Sequence, residues 1–152
     1  LDATIDDFHT LVTHNLEAVF HVLKALLPHM EQAGTGQVVI VTSATGARAQ
    51  PNSALYSTTR AAANMLVKNA ALSVAKHGVT VNAIGTNYLD YPGFRGASGA
   101  DDPDVRRAIE ARVPIGRLGQ PHEVAHFCAS LLDGVNYFQT GQFFSLSGGW
   151  SD

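Results

Sequence analysis

Three side chains, Ser43, Tyr56 and Arg60, have types and spacing that allow joint chemistry: the tyrosine follows the serine by thirteen residues and the arginine follows the tyrosine by four. On a helix, positions i and i+4 share one face, so the phenol and the guanidinium lie within side-chain reach. A cation beside a phenol favours the phenolate, which turns an ordinarily weak acid into a base usable near neutrality. Arginine suits this role because it keeps its own proton. Ser43 adds a hydroxyl that can converge on the same place, giving a general base flanked by a cation and a hydroxyl. Taken singly, a half-buried tyrosine, a solvated helix arginine and a turn serine are ordinary features. The bland reading holds until the wider pattern described below is added.

The elements that must position these groups follow from periodicity. From Asp6 to Met30 the apolar residues Phe8, Val12, Leu16, Val19, Phe20, Leu23 and Leu27 recur at threes and fours, which predicts one long amphipathic helix. Thr4 or Asp6 is its candidate N-cap, Gly34 or Gly36 ends the connection that follows, and Pro28 is expected to kink or shorten it. Gln37 to Thr42 is a β-branched run without alternation, as for a parallel strand buried on both faces. A loop from Ser43 to Ser53 leads into a second long helix, Ala54 to Lys76, closed by Gly78. Val79 to Ile84 reads as a second buried strand. Gly85 to Asp102, with Pro92, Gly93, Gly96 and Gly99 and little periodicity, reads as a functional lid or binding loop. A short helix from Pro103, a turn over Pro114 to Gly119, a helix over Pro121 to Leu132 and a strand over Gln142 to Leu146 complete the chain.

This alternation is that of an α/β domain with a parallel sheet, in which chemistry sits at the carboxyl ends of the strands. Ser43 occupies the first such place and Thr86 to Leu89 the second. Three strands are too few for a complete sheet of this kind. The chain also opens on Leu1-Asp2 in what already reads as the approach to a helix, so earlier βαβ units are expected to be missing.

Composition excludes several classes of function. The chain has 152 residues, enough for a single domain, with 45% hydrophobic and 15% charged residues, which is neither disordered, collagen-like nor coiled coil. The net charge of -3 and the lack of a basic run argue against a nucleic-acid partner. No apolar run approaches the length of a membrane span, and no signal-peptide pattern opens the chain. The single cysteine, Cys128, can form no internal disulfide and fits a reducing cytoplasm, where it reads as a small buried apolar residue. Seven histidines are scattered; His122 and His126 stand at i and i+4 but lack a third ligand, so they read as a surface pair and no metal is expected.

Ser43, Tyr56 and Arg60 then join a wider pattern: Asn15 on the first helix, Val81-Asn82-Ala83-Ile84, Pro114-Ile115-Gly116-Arg117-Leu118-Gly119, Thr140-Gly141-Gln142 and Gly148-Gly149. Over essentially the whole chain this resembles the short-chain dehydrogenase/reductase superfamily. The resemblance implies a Rossmann-like doubly wound parallel sheet, with residues 1–152 forming a single domain that is the C-terminal portion of that fold. Two positions depart from the superfamily pattern. Arg60 stands where the superfamily has lysine, and Thr86-Asn87 stand where the dehydrogenases place a Pro-Gly pair that supports the nicotinamide.

Both departures are similar to the halohydrin dehalogenases, which use a Ser, Tyr, Arg triad and hold a halide in place of the nicotinamide. This resemblance implies an enzyme that closes vicinal haloalcohols to epoxides without a cofactor, and opens epoxides with halide, azide, cyanide or nitrite. Tyr56 would be the base, Arg60 its partner and Ser43 the group holding the substrate oxygen. Thr86, Asn87, Tyr88 and Leu89 would hold the halide, with the backbone N–H groups of Tyr88 and Leu89 and the Asn87 amide as donors. Tyr91, Phe94 and Trp150 read as walls of an apolar substrate pocket. Asn15 is expected to keep a helix bulge or loop in place. The family implies a homotetramer, with the two long helices pairing across a two-fold axis. The alternative is an NAD(P)-dependent short-chain oxidoreductase with an arginine variant of the motif, which requires a glycine-rich phosphate loop that this sequence does not contain. A catalytically silent family member acting as a scaffold is the non-enzyme reading.

Overall fold

The β-branched run that follows the first helical region forms β1, Gly36–Ser43, in a computed structural model that describes residues 2–150. It runs parallel to β2, Val79–Thr86, in a register that pairs Gly36 with Val79 and Ser43 with Thr86. The short β3, Phe143–Leu146, lies parallel on the other side of β2, giving the order β1-β2-β3. The architecture is α/β and Rossmann-like, with all described strands parallel.

β2 is buried from Val79 through Gly85, as a continuous apolar run requires. The same expectation fails for β1. Among the described residues it lies at the edge of the sheet, and Val41 is 51% exposed because no described element covers that part of it.

Helices flank the sheet on both faces. One core joins Val19 and Leu23 to Val67, Ala71 and Val74 over Val38, Val79 and Val81 of the strands, with Phe143 packed against it. Successive side chains of a strand point to opposite faces. Phe144 accordingly meets Phe127, from the far side, at 5.2 Å between ring centroids. Phe127 belongs to α6, Pro121–Leu131.

The first helical region is not one continuous α-helix. α1, Ile5–Val12, is capped by Thr4 in a reciprocal pair with Asp7, then a π-helical turn spans Thr13–Glu17 before α2, Ala18–Ala33. The interruption has a cause in the fold: the turn buries Asn15, whose amide donates to Thr59 at 3.0 Å. Apolar periodicity carries straight through such a turn, which is why the sequence alone reads as one helix. α2 also continues past Pro28 to Gly34, since the carbonyl that Pro28 leaves without a donor is that of exposed Lys24, open to water.

α3, Ala54–Val74, carries Tyr56 and Arg60 and ends in a 3-10 turn before Gly78. The segment after β2 differs from the expected lid. It contains a short helix, α4, Pro92–Ser98, followed by α5, Pro103–Glu110. Proline at the first helical position starts α4, and Phe94 anchors it on Ala100, Ile109 and Leu118, while its internal glycines conceal any apolar period. Among the described residues, no helix is long and apolar enough to cross a membrane.

Candidate active site

The register of the sheet brings the two strand ends level, so Ser43 and Thr86 close β1 and β2 side by side. Ser43 is 5% exposed. Its hydroxyl shares a 2.9 Å hydrogen bond with the Thr45 hydroxyl, accepts from the Thr45 backbone N–H at 3.3 Å and donates to the Thr86 carbonyl at 3.5 Å. The chain then makes a tight 3-10 turn over Ala44–Gly46 that lies directly on α3. A Cβ on Gly46 would stand 2.9 Å from the Arg60 carbonyl carbon and 2.7 Å from the Asn64 amide nitrogen. Glycine here permits backbone to approach backbone, and so sets the spacing between Ser43's turn and the face of α3.

On that face the i, i+4 pair meets as the spacing predicts. The Arg60 guanidinium carbon lies 5.1 Å from the centroid of the Tyr56 ring, within the range of a cation–π contact. The Arg60 Nε is buried without a hydrogen-bond partner. One turn of the helix is tied to the π-helical turn: Thr59 accepts from the Asn15 amide and donates to the Tyr56 carbonyl at 2.9 Å. The expectation for Asn15, support of a helix bulge, therefore holds. Tyr56 also lines a cleft of about 730 Å³ between the start of α3 and Asp7, Thr10 and Leu11 of α1. Among the described residues Ser43 and Tyr56 are not hydrogen-bonded to each other; the structure joins Tyr56 to Arg60 and Ser43 to Thr86 as two neighbouring pairs.

Beyond β2 the backbone turns sharply, with Tyr88 in the left-handed region at φ 49°. For a residue with a large side chain this is uncommon and requires support from its surroundings. Gly119 supplies part of it, donating its N–H to the Tyr88 carbonyl at 3.0 Å and accepting from the Asp90 N–H at 2.8 Å. The Tyr88 ring sits edge-on to Phe94 at 6.1 Å and to Trp150 at 5.8 Å. Trp150 is in turn covered by the Arg48 guanidinium, 4.8 Å from its ring, which also donates to the Trp150 carbonyl. Of the expected pocket residues, Phe94 and Trp150 gather around Tyr88, whereas Tyr91 is 46% exposed and its ring packs on Phe94.

The loop carries donors without acceptors. The Asn87 amide nitrogen is buried and unpartnered. Neither the Tyr88 nor the Leu89 backbone N–H has an acceptor among the described residues. Asn87 and Leu89 also line a mostly apolar cavity of about 180 Å³ with Val113, Ile115, Leu146 and Ser147; Ser43, Tyr56 and Arg60 do not reach it.

Just past the loop, Asp90 accepts hydrogen bonds from Arg106 and Arg95, each at 2.7 Å. The Arg106 guanidinium, then that of Arg95, holds its carboxyl at about 2, well below the usual carboxylate range. Glu123 is likewise held at about 2, first by Arg117 and then by the Gln120 backbone N–H that it caps. Burial pushes the Cys128 thiol up, so it is not a poised nucleophile. His122 and His126 are exposed, and no metal-binding cluster occurs among the described residues. Thr45, Gly46, Thr59 and Asp90 escape sequence reasoning, and the motif holding Gly119 does not show its hold on Tyr88, because these roles depend on partners remote in the chain or on backbone approach.

A parallel α/β sheet with its polar groups at the strand ends defines a Rossmann-like domain. Residues 1–151 match the family model described as enoyl-(acyl carrier protein) reductase, and the chain belongs to that family, within the short-chain dehydrogenase/reductase superfamily. It is 39% identical over 128 residues to cis-4-hydroxycyclohexanecarboxylate dehydrogenase of Sinomonas cyclohexanicum, covering 84% of this chain and 50% of that protein. The solved structure titled "ElxO with NADP Bound" superposes with a TM-score of 0.92 at 27% identity, covering 98% of this chain and 60% of that one. A structure titled "Dehalogenation enzyme" superposes with a TM-score of 0.87 at 32% identity, covering 98% and 61%. The chain spans about half the length of the curated relatives it matches.

Proposed function

We propose that the protein of which this chain is part is a halohydrin dehalogenase. The observation that carries the reading is the loop after β2, where a buried Asn87 amide and two backbone N–H groups, in consecutive residues, have no acceptor among the described residues. Donors fixed in a partly enclosed site suit an anion whose charge develops during reaction. Arg60 beside Tyr56 and the likeness to a dehalogenation enzyme add support.

In this reading a vicinal haloalcohol binds with its hydroxyl between Ser43 and Tyr56. Tyr56, with Arg60 beside it, takes the hydroxyl proton, while the Ser43 hydroxyl donates to the substrate oxygen. That oxygen attacks the neighbouring carbon in line as the carbon–halogen bond breaks. The halide leaves with the bonding pair toward the donors of Asn87, Tyr88 and Leu89. The proton on Tyr56 passes to solvent, and no electrons are transferred to a second reactant. Run backwards, an anion held at the loop opens the epoxide and Tyr56 returns the proton. The substrates would be small haloalcohols, epoxides and halides, and the assembly a homotetramer.

The second reading, an NAD(P)-dependent oxidoreductase, is favoured by the names of the dehydrogenase relatives and by the structure with NADP bound. At the end of β2 the Tyr88 ring sits edge-on to both Phe94 and Trp150, which places aromatic side chains beside the loop in either reading. One assay separates the readings. Full-length protein is given a small vicinal bromoalcohol without nicotinamide, and free bromide is followed beside a Tyr56→Phe control. Bromide release that falls roughly 10²- to 10⁴-fold in the control is expected. Folded protein that releases no bromide but binds NAD or NADP would overturn the dehalogenase reading in favour of the second.

A further inference from the structure

Asp90 is the most enclosed of the ion-paired carboxylates among the described residues, with 14% of its side chain exposed. Each of its oxygens takes a different guanidinium: Oδ1 accepts from Arg95 on α4 and Oδ2 from Arg106 on α5, both at 2.7 Å. The outer edges of those guanidiniums are themselves fixed, Arg95 by Asp101 at 3.1 Å and Arg106 by Glu110 at 2.9 Å. Through its own backbone N–H, Asp90 is bonded to Gly119 at 2.8 Å. Two residues upstream stands Tyr88 at φ 49°. A bulky residue keeps such a conformation only where the surroundings over-determine it. The Gly119 pair anchors one edge of the loop, and the Asp90 clasp anchors its exit to two helices.

We infer that Asp90 is a positioning residue: gripping Arg95 and Arg106 together, it holds the loop in the conformation that aims the Tyr88 and Leu89 N–H groups at the departing anion. The inference rests on the dehalogenase reading and deepens it, because Asp90 touches no reacting atom and acts through the backbone of the anion site. Geometry distinguishes this role from a surface ion pair. An exposed pair contributes little and constrains little, whereas this carboxylate is enclosed and bidentate across two helices. Its loss should therefore weaken the hold on the anion and leave proton transfer at Tyr56 alone.

The substitution Asp90→Asn keeps the shape but turns an amide NH₂ toward one of the two guanidiniums, placing donor against donor. In full-length protein, bromide inhibition of ring closure and the KM for azide in epoxide opening report the anion site. The pH profile of kcat reports the base. Hydrogen exchange over residues 87–91, read at the bonded N–H groups of Asp90 and Tyr91, reports the loop. The clasp predicts bromide and azide binding weakened roughly 10- to 100-fold, an unshifted pH profile, faster exchange over 87–91, and partial restoration by Asp90→Glu. If Asp90→Asn has native circular dichroism and binds bromide as tightly as the parent, the inference is overturned. If Asp90→Asn does not fold, Arg106→Gln is read by the same measurements. Should the parent protein release no bromide at all, the dehalogenase reading fails by itself, and exchange over 87–91 still decides the clasp: faster upholds it as the support of the loop, unchanged overturns it.

Discussion

Two regions meet at the end of this sheet, and they are built by opposite means. Tyr56 and Arg60 stand on α3, a regular helix whose same stripe continues toward the C-terminus as the buried Ala63, Val67 and Ala71. Their relative position is a property of helical geometry, and any stable helix would reproduce it. The loop Thr86–Leu89 has no such template. Its shape depends on a left-handed Tyr88, on Gly119 from thirty-one residues downstream of Tyr88, and on the Asp90 clasp to α4 and α5. The difference teaches where a site of this kind is robust and where it is fragile. In the proposed mechanism the base and its cation would move with the helix as a unit, whereas the anion donors would depend on every tether of the loop.

The comparison can be broken most forcefully at the helix. Arg60→Met removes the charge beside the phenol while keeping an unbranched side chain, so bromide release is expected to fall by about 10²-fold or more. Steady-state bromide release by the variant checks this; an unchanged kcat would separate Arg60 from the base. A smaller effect is expected where the two regions are pressed together. Gly46→Ala drives a Cβ to 2.9 Å from the Arg60 carbonyl carbon. Overpacking of this kind costs about 1–3 kcal/mol, more than the roughly 0.4–1 kcal/mol that alanine regains by stiffening the unfolded chain. Denaturant titration should show net destabilisation.

The smallest effect concerns the loop's tethers and pH. Asp90 is held at about 2, by Arg106 first and Arg95 second, against an ordinary carboxylate value in the unfolded chain. A depressed native pKa stabilises above the unfolded value, and the contribution fades as pH falls from about 4 toward 2. Melting temperature should drop over that window in the parent protein and drop less in Asp90→Asn. Equal slopes would show that the clasp contributes no proton-linked stability.

Most of the fold was legible in the residue pattern because β1 and β2 are β-branched runs and its long helices carry an apolar stripe. Ser43, Tyr56 and Arg60 were legible because two lie one helical turn apart and the third ends a strand. The π-helical turn at Thr13–Glu17 was not, since its cause is the buried bond from Asn15 to Thr59, which are 44 residues apart. α4 was hidden because Gly93 and Gly96 break any period, and its reason for folding is Phe94 docking on a distant cluster. The exposure of Val41 escaped notice for the converse reason, as an edge strand has the same composition as a central one.

Local rules alone settled the α/β alternation, the pairing of phenol with guanidinium and the presence of a polar segment after the second strand, because propensity and spacing act over one or two turns of chain. The tertiary structure decided what those rules do not reach. It set Ser43 level with Thr86 through the strand register, seated the turn of Gly46 on α3, and bent Tyr88 into a left-handed conformation under Gly119 and Asp90. Each depends on atoms brought together from distant parts of the chain, and such contacts exist only once the core has closed and fixed the distances between elements.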